Sequence, residues 1–95
     1  MKFMVTWQVP QHNRHEVIKS FGNMSDKDIE KDNSGVRLIG RWHDVITGTG
    51  IAIAETDDAG TLADWLLHWN GVIDILETKP VLDDDEAREV IRRMD

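Results

Sequence analysis

The sequence has no cysteine, which excludes disulfides, thiolate zinc sites and thiol nucleophiles together. It also lacks any long apolar run. No stretch approaches the ~20 apolar residues of a membrane-spanning helix. The opening "MKFMVTWQVPQ" has too short an apolar segment, and no small-residue cleavage site, for a secretory signal. Basic residues are scarce: eleven Lys and Arg stand against 18 Asp and Glu, for a formal charge of −7, with acids gathered in "TDDAG" and "LDDDEARE". Nucleic-acid affinity depends on Lys and Arg neutralising phosphates, and an acidic surface repels anionic membranes. Neither partner is expected, and the chain reads as cytoplasmic.

What is present describes one small globular domain. Of the 95 residues, 40% are apolar and 31% charged, an ordinary balance for a folded chain. A domain of this length buries only roughly 60–65% of its unfolded surface, so its core is thin. Residues 1–95 are read as a single domain, with 82–95 as a C-terminal helical extension.

"KFMVTWQV" (2–9) alternates in the manner of a strand, with Phe3, Val5, Trp7 and Val9 on one side, and Pro10 stops it. "HNRHEVIKSF" reads as a helix start with Asn13 as N-cap and Glu16 three residues on, a capping-box spacing. Residues 22–35 are polar and read as a loop, with one helical turn opening at Ser25. "VRLIGRWHDV" (36–45) and "GIAIAE" (50–55) are strands joined by "ITGT". In "TDDAGTLADWLLHWNG", Asp57 or Asp58 caps a helix, Leu62, Trp65, Leu66 and Trp69 form one stripe, and Gly71 is placed as a left-handed terminator. Residues 72–82 are a last strand. "DDDEAREVIRRM" is a short helix with acids first and arginines last, as the helix dipole favours, and with its own stripe of Ala87, Val90, Ile91 and Met94. The order β-α-β-β-α-β predicts an α+β, ferredoxin-like plait: a four-stranded antiparallel sheet with helices on one face, plus a C-terminal helix.

Strand period assigns the faces. Pairing residues of the central hairpin whose numbers sum to about 92 or 94 puts Leu38, Gly40, Trp42, Ala52 and Ala54 on one face. Arg37, Ile39, Arg41, His43, Ile51, Ile53 and Glu55 fall on the other. The first face, with its small residues, is expected under the tryptophans of the helix. There Gly40, Ala52 and Ala54 are either recesses filled by a close-packed core or the floor of a cavity walled by Trp7, Trp42, Trp65 and Trp69, suited to a small organic ligand. The second face carries three large aliphatics that a monomer rarely leaves in water, so a homodimer with facing sheets is expected.

The layout, the strand-borne "GRWH" (Gly40, Arg41, Trp42, His43), the "ET" at Glu55 and Thr56 within "AETDD", and the tryptophan pair of the second helix resemble the dimeric α+β barrel superfamily. The nearest likeness is to a small branch of uncharacterised bacterial and phage domains, over residues 2–82. The resemblance implies a ferredoxin-like protomer and a dimer. The wider superfamily includes cofactor-free quinone-forming monooxygenases, lactone isomerases, haem-degrading and haem-binding relatives and stress-responsive domains, while the branch itself implies no activity.

The chemistry-bearing group on the second face is Arg41, His43 and Glu55. His43 titrates near neutrality, Arg41 can hold an anionic oxygen, and Glu55 can orient or accept a proton. The same three residues also suit a plain Arg–Glu ion pair beside an interface histidine. No serine or cysteine nucleophile motif accompanies them, so covalent catalysis is not expected. His12, His15 and Glu16 match no zinc spacing, and His68 lies on the flank of its helix. "LDDDEARE" lacks the spaced loop and glycine of a calcium site, and "GTG" precedes a strand where a phosphate cradle requires a helix. No metal or cofactor is expected. Three readings follow: a small-molecule-binding homodimer, a cofactor-independent enzyme of monooxygenase or isomerase type, and a protein-interaction module.

Overall fold

The computed structural model describes residues 1–33 and 35–94. Ser34, within the expected loop, and Asp95, at the end of the C-terminal helical segment, lie outside the described residues. Strand β1 (Lys2–Gln8) runs at the centre between β3 (Thr49–Glu55) and β4 (Asp74–Val81), and β2 (Arg37–Asp44) completes the order β2-β3-β1-β4. All neighbours pair antiparallel, which is the topology of a ferredoxin-like plait. Helices α1 (Arg14–Gly22) and α3 (Ala59–Asn70) are the two crossovers, α2 (Asp26–Asp32) follows α1, and α4 (Asp84–Ile91) ends the chain.

Complementary volumes set the contact between β1 and β3. Phe3, Val5 and Trp7 stand opposite Ala54, Ala52 and Gly50. Each large side chain therefore lies beside a small one. Gly50 is the extreme case: a Cβ there would collide with the Trp7 ring. Val5, Ala52 and Ala54 are buried beneath Leu62 and Trp65 of α3, and Val17, Leu66 and Ile75 border this core. The stripe expected on α3 is in place, with Leu62 and Trp65 fully buried and Leu66 and Trp69 partly so. Asp58 caps α3 by accepting from Gly60 N–H at 2.9 Å.

Local details depart from the sequence reading at three places. Asn13 precedes α1 but makes no side-chain cap. Its amide instead donates to the Val72 carbonyl at 3.2 Å, so this residue ties the start of α1 to the α3–β4 connection. Gly71 has φ −73° and is no left-handed terminator. The segment expected to be a loop contains α2, opened by a capping box in which Ser25 and Asp28 each accept the other's backbone N–H at 3.0–3.1 Å.

The fourth helix stands apart. Its cap Asp83 and its Glu86 hold Lys2 Nζ at 3.2 and 3.0 Å, and hydrogen bonds to both raise the lysine pKa above its ordinary value. Val90, Ile91 and Met94 remain exposed, as does Leu67 on the outer side of α3. The radius of gyration is 15.1 Å and the extents are 52 × 26 × 20 Å. A compact chain of this length has a radius of roughly 12 Å, so the fold is elongated.

Candidate functional site

The site depends on one extra residue in β2. Leu38 pairs with Ala54, but the next partner of β3, Ile53, faces Gly40, leaving Ile39 unmatched. Such a bulge shifts the alternation by one position, which exchanges the two faces of the strand beyond it. Arg41 consequently stands opposite Ala52, and His43 opposite Gly50, on the helix side of the sheet. Trp42 stands opposite Ile51 on the bare side, 59% exposed, with its ring over Gly40.

The expected faces of Arg41, Trp42, His43 and Gly40 are therefore reversed: the indole is on the bare face and the two basic side chains are on the helix face, Arg41 partly buried and His43 exposed. Glu55 lies before the shift and stays on the bare face. There its carboxylate accepts from Arg37 at 2.9 Å and lies 3.7 Å from Lys2 Nζ. The trio of Arg41, His43 and Glu55 does not assemble, and the arginine paired with Glu55 is Arg37. Ile51 and Ile53 stay on the bare face with Trp42, and Ile39 is exposed.

A cleft of about 250 Å³ lies between the sheet, α1 and α3. Val5, Trp7 and Ala52 line it from the sheet, Val17, Ile18 and Phe21 from α1, and Trp65 and Trp69 from α3. Three of the four expected tryptophans thus meet at one cavity, and Trp42 does not. Arg41, His43 and Asp44 supply its charged and titratable groups.

Phe21 organises the two basic residues. The Arg41 guanidinium carbon sits 4.9 Å from the centre of the phenyl ring, a cation–π distance. The His43 ring lies 4.8 Å from the same ring and 5.7 Å from Trp7, edge-on to the latter. Desolvation first, and the charge of Arg41 second, lower the His43 pKa below its ordinary value of 6.5, so the imidazole is neutral at pH 7. Desolvation also lowers the Arg41 pKa, against the pull of Asp32, but a guanidinium stays charged throughout the physiological range.

Asp32 is the residue that the sequence reading missed. Its side chain is only 7% exposed, and it accepts from the Trp69 indole N–H at 2.7 Å and lies 3.2 Å from His68 Nε2. It fixes Trp69 at the cleft and lies beside His68, whose side chain stays 70% exposed on the flank of α3. The signal was in the sequence: "SDKD" at 25–28 is a capping box, and a helix started there carries Asp32 at its last turn.

The lowered His43 pKa has a measurable consequence. As pH falls through 6.5 the unfolded chain takes up this proton before the folded chain does, so acidification destabilises the fold, and the effect runs down to the depressed native pKa. An imidazole NMR titration is expected to give a midpoint below 6.5, and Arg41→Gln is expected to raise it. An unchanged midpoint in the variant would remove Arg41 as a cause.

Comparison with curated proteins and with solved structures finds no match. A family model described as "Domain of unknown function (DUF3303)" matches residues 1–95. Strands, cleft and C-terminal helix all fall within that span, and the chain belongs to the DUF3303 family.

Proposed function

We propose that the domain is a binding protein for a small aromatic or alicyclic molecule, held in the cleft between the sheet and helices α1 and α3. The observation carrying this reading is the cleft itself: about 250 Å³ walled by Trp7, Trp65, Trp69 and Phe21, with few polar groups. Ligand sites are concave, mainly apolar and sparsely polar. An apolar cavity of ~150 Å³ already accepts benzene, so this one matches one or two fused rings.

The test is a titration with 2-naphthol followed by amide and indole NMR shifts. Binding is expected to move Ala52 and the Trp65 and Trp69 indoles while leaving Trp42 in place, and Ile18→Trp, which fills the cleft from its rim, is expected to weaken binding at least tenfold. No shift at those positions up to millimolar probe would overturn the reading.

The arrangement also suits a cytoplasmic homodimer of the α+β barrel type. Its bare sheet face carries Ile39, Trp42 and Leu76 exposed together with Ile51 and Ile53, a patch of the kind that marks an interface. A second copy is the occupant this reading assigns. Sedimentation at micromolar concentration is expected to show twice the chain mass, and Ile53→Lys to halve it. A wild-type monomer under those conditions would end the dimer proposal without touching the cleft.

A further inference from the structure

Arg41 is an unusual wall for an apolar cleft. A half-buried guanidinium ordinarily lies against a carboxylate, because burying a charge without a partner is costly. Among the described residues no carboxylate oxygen lies within 4.0 Å of it; the ion pairs nearest in the chain are Arg37–Glu55 on the other face and His68–Asp32 on α3. Asp44 also lines the cleft, but its Oδ1 accepts from the backbone N–H groups of Ile46 and Thr47 at 3.0 and 3.2 Å, which ties it to the β2–β3 turn. Asp32 draws on Arg41 electrostatically while its oxygens serve Trp69 and His68. The guanidinium rests on the Phe21 face, and among the described residues its N–H fork meets no acceptor.

We propose that the cleft selects monoanions: aromatic or alicyclic acids whose single carboxylate pairs with Arg41 while the ring occupies the apolar part. This rests on the cleft being a ligand site. The fork of an arginine matches a carboxylate through two parallel N–H donors, and neutral His43, on the same strand face two residues on, adds a hydrogen-bonding group without a second charge. The balance of charge sets the number of acid groups to one. Among the described residues Arg41 is the only Lys or Arg lining the cleft. Arg14 reaches the rim beside Gly48 but donates to the Val9 carbonyl, while Asp44 lies at the edge and Asp32 nearby. A second carboxylate therefore meets two acids and only a cation already hydrogen-bonded elsewhere. The charge of −7 on the whole chain does not reverse this locally, because exposed charges beyond ~8 Å are screened at physiological salt.

The experiment compares three probes of one ring system at pH 7.5: 2-naphthoate, 2-naphthamide and naphthalene-2,3-dicarboxylate, each by calorimetry or NMR shift. The acid is expected to bind at least tenfold more tightly than the amide, and the diacid more weakly than the monoacid. Arg41→Gln is expected to remove the preference for the acid while keeping amide binding, and Arg41→Lys to restore part of it. Acid and amide binding equally well to wild type would overturn the proposal and leave the cleft reading standing. A diacid tighter than the monoacid would overturn the single-charge rule, and no binding of any probe would overturn both readings. The comparison on the wild-type chain decides the question even where an Arg41 variant fails to fold.

Discussion

Trp65→Ala is expected to destabilise the domain by about 3–5 kcal/mol, the usual consequence of emptying an aromatic site in a core. Trp65 is 6% exposed and packs in the central cluster with Val5, Ala52 and Leu62. A chain of this size has only roughly 5–10 kcal/mol of stability in all, so the variant is expected to be partly unfolded at 37 °C. Its indole N–H is buried with no acceptor among the described residues, and Trp65→Phe discards that orphan donor while keeping a ring. The phenylalanine variant is therefore expected to lose much less than the alanine one. Trp42→Ala gives the contrast: its ring is on the bare face, and urea melts should place it within about 1 kcal/mol of wild type. Any larger effect should grow with protein concentration, as expected for an association face. Equal losses at Trp65 and Trp42 would contradict the face assignment.

Gly50→Val is expected to lose about 3 kcal/mol or more. The Trp7 ring covers the Gly50 Cα so closely that a single added carbon overlaps it. The ring atoms belong to a side chain 9% exposed in the core, so they cannot swing aside without opening it. Overfilling a packed site costs roughly 1–3 kcal/mol, and displacing Trp7 adds exposed apolar surface to that. The cleft is expected to deform at the same time, since Trp7 is part of its sheet side. Gly71→Ala is the control. Gly71 has φ −73° and nothing within 4 Å of an added Cβ, so alanine should be neutral or stabilise by about 0.5 kcal/mol. Thermal melts of the two variants separate a glycine needed for space from one that is not.

The plait could be read from the chain because its signals are local and repeated. The alternation of residues 2–9, the Leu62–Trp69 stripe and the acid-to-basic gradient of α4 each report on their own element, and the structure keeps all three. The pocket tryptophans on β1 and α3 were legible for the same reason. The contents of β2 were not. Period-2 reasoning assumes unbroken pairing, and the one sign in "VRLIGRWHDV" that a residue is skipped is the isolated Gly40, a bulge marker that the alternation alone reads as a small core residue. That single omission moved Arg41, Trp42 and His43 to the wrong sides and joined Glu55 to partners it never meets. Asp32 was lost differently: α2, with Ile29 as its one apolar residue, has no hydrophobic period to reveal a helix, and only its cap residues do so.

The skipped residue gives β2 something like a reading frame. Upstream of Ile39 the even-numbered side chain of Leu38 faces inward; downstream the odd-numbered Arg41 and His43 do. Deleting Ile39 would keep Arg41 on Ala52 and His43 on Gly50. Closing the bulge with Ile39 retained, so that it pairs with Ile53, would slide the downstream half of the strand by one residue and turn it inside out while every chemical group stays intact. It would carry the indole into the cleft and the guanidinium to the outer face. The polarity of the cavity and the stickiness of the opposite face are thus two outputs of one pairing register, and neither can be changed through that register without reversing the other.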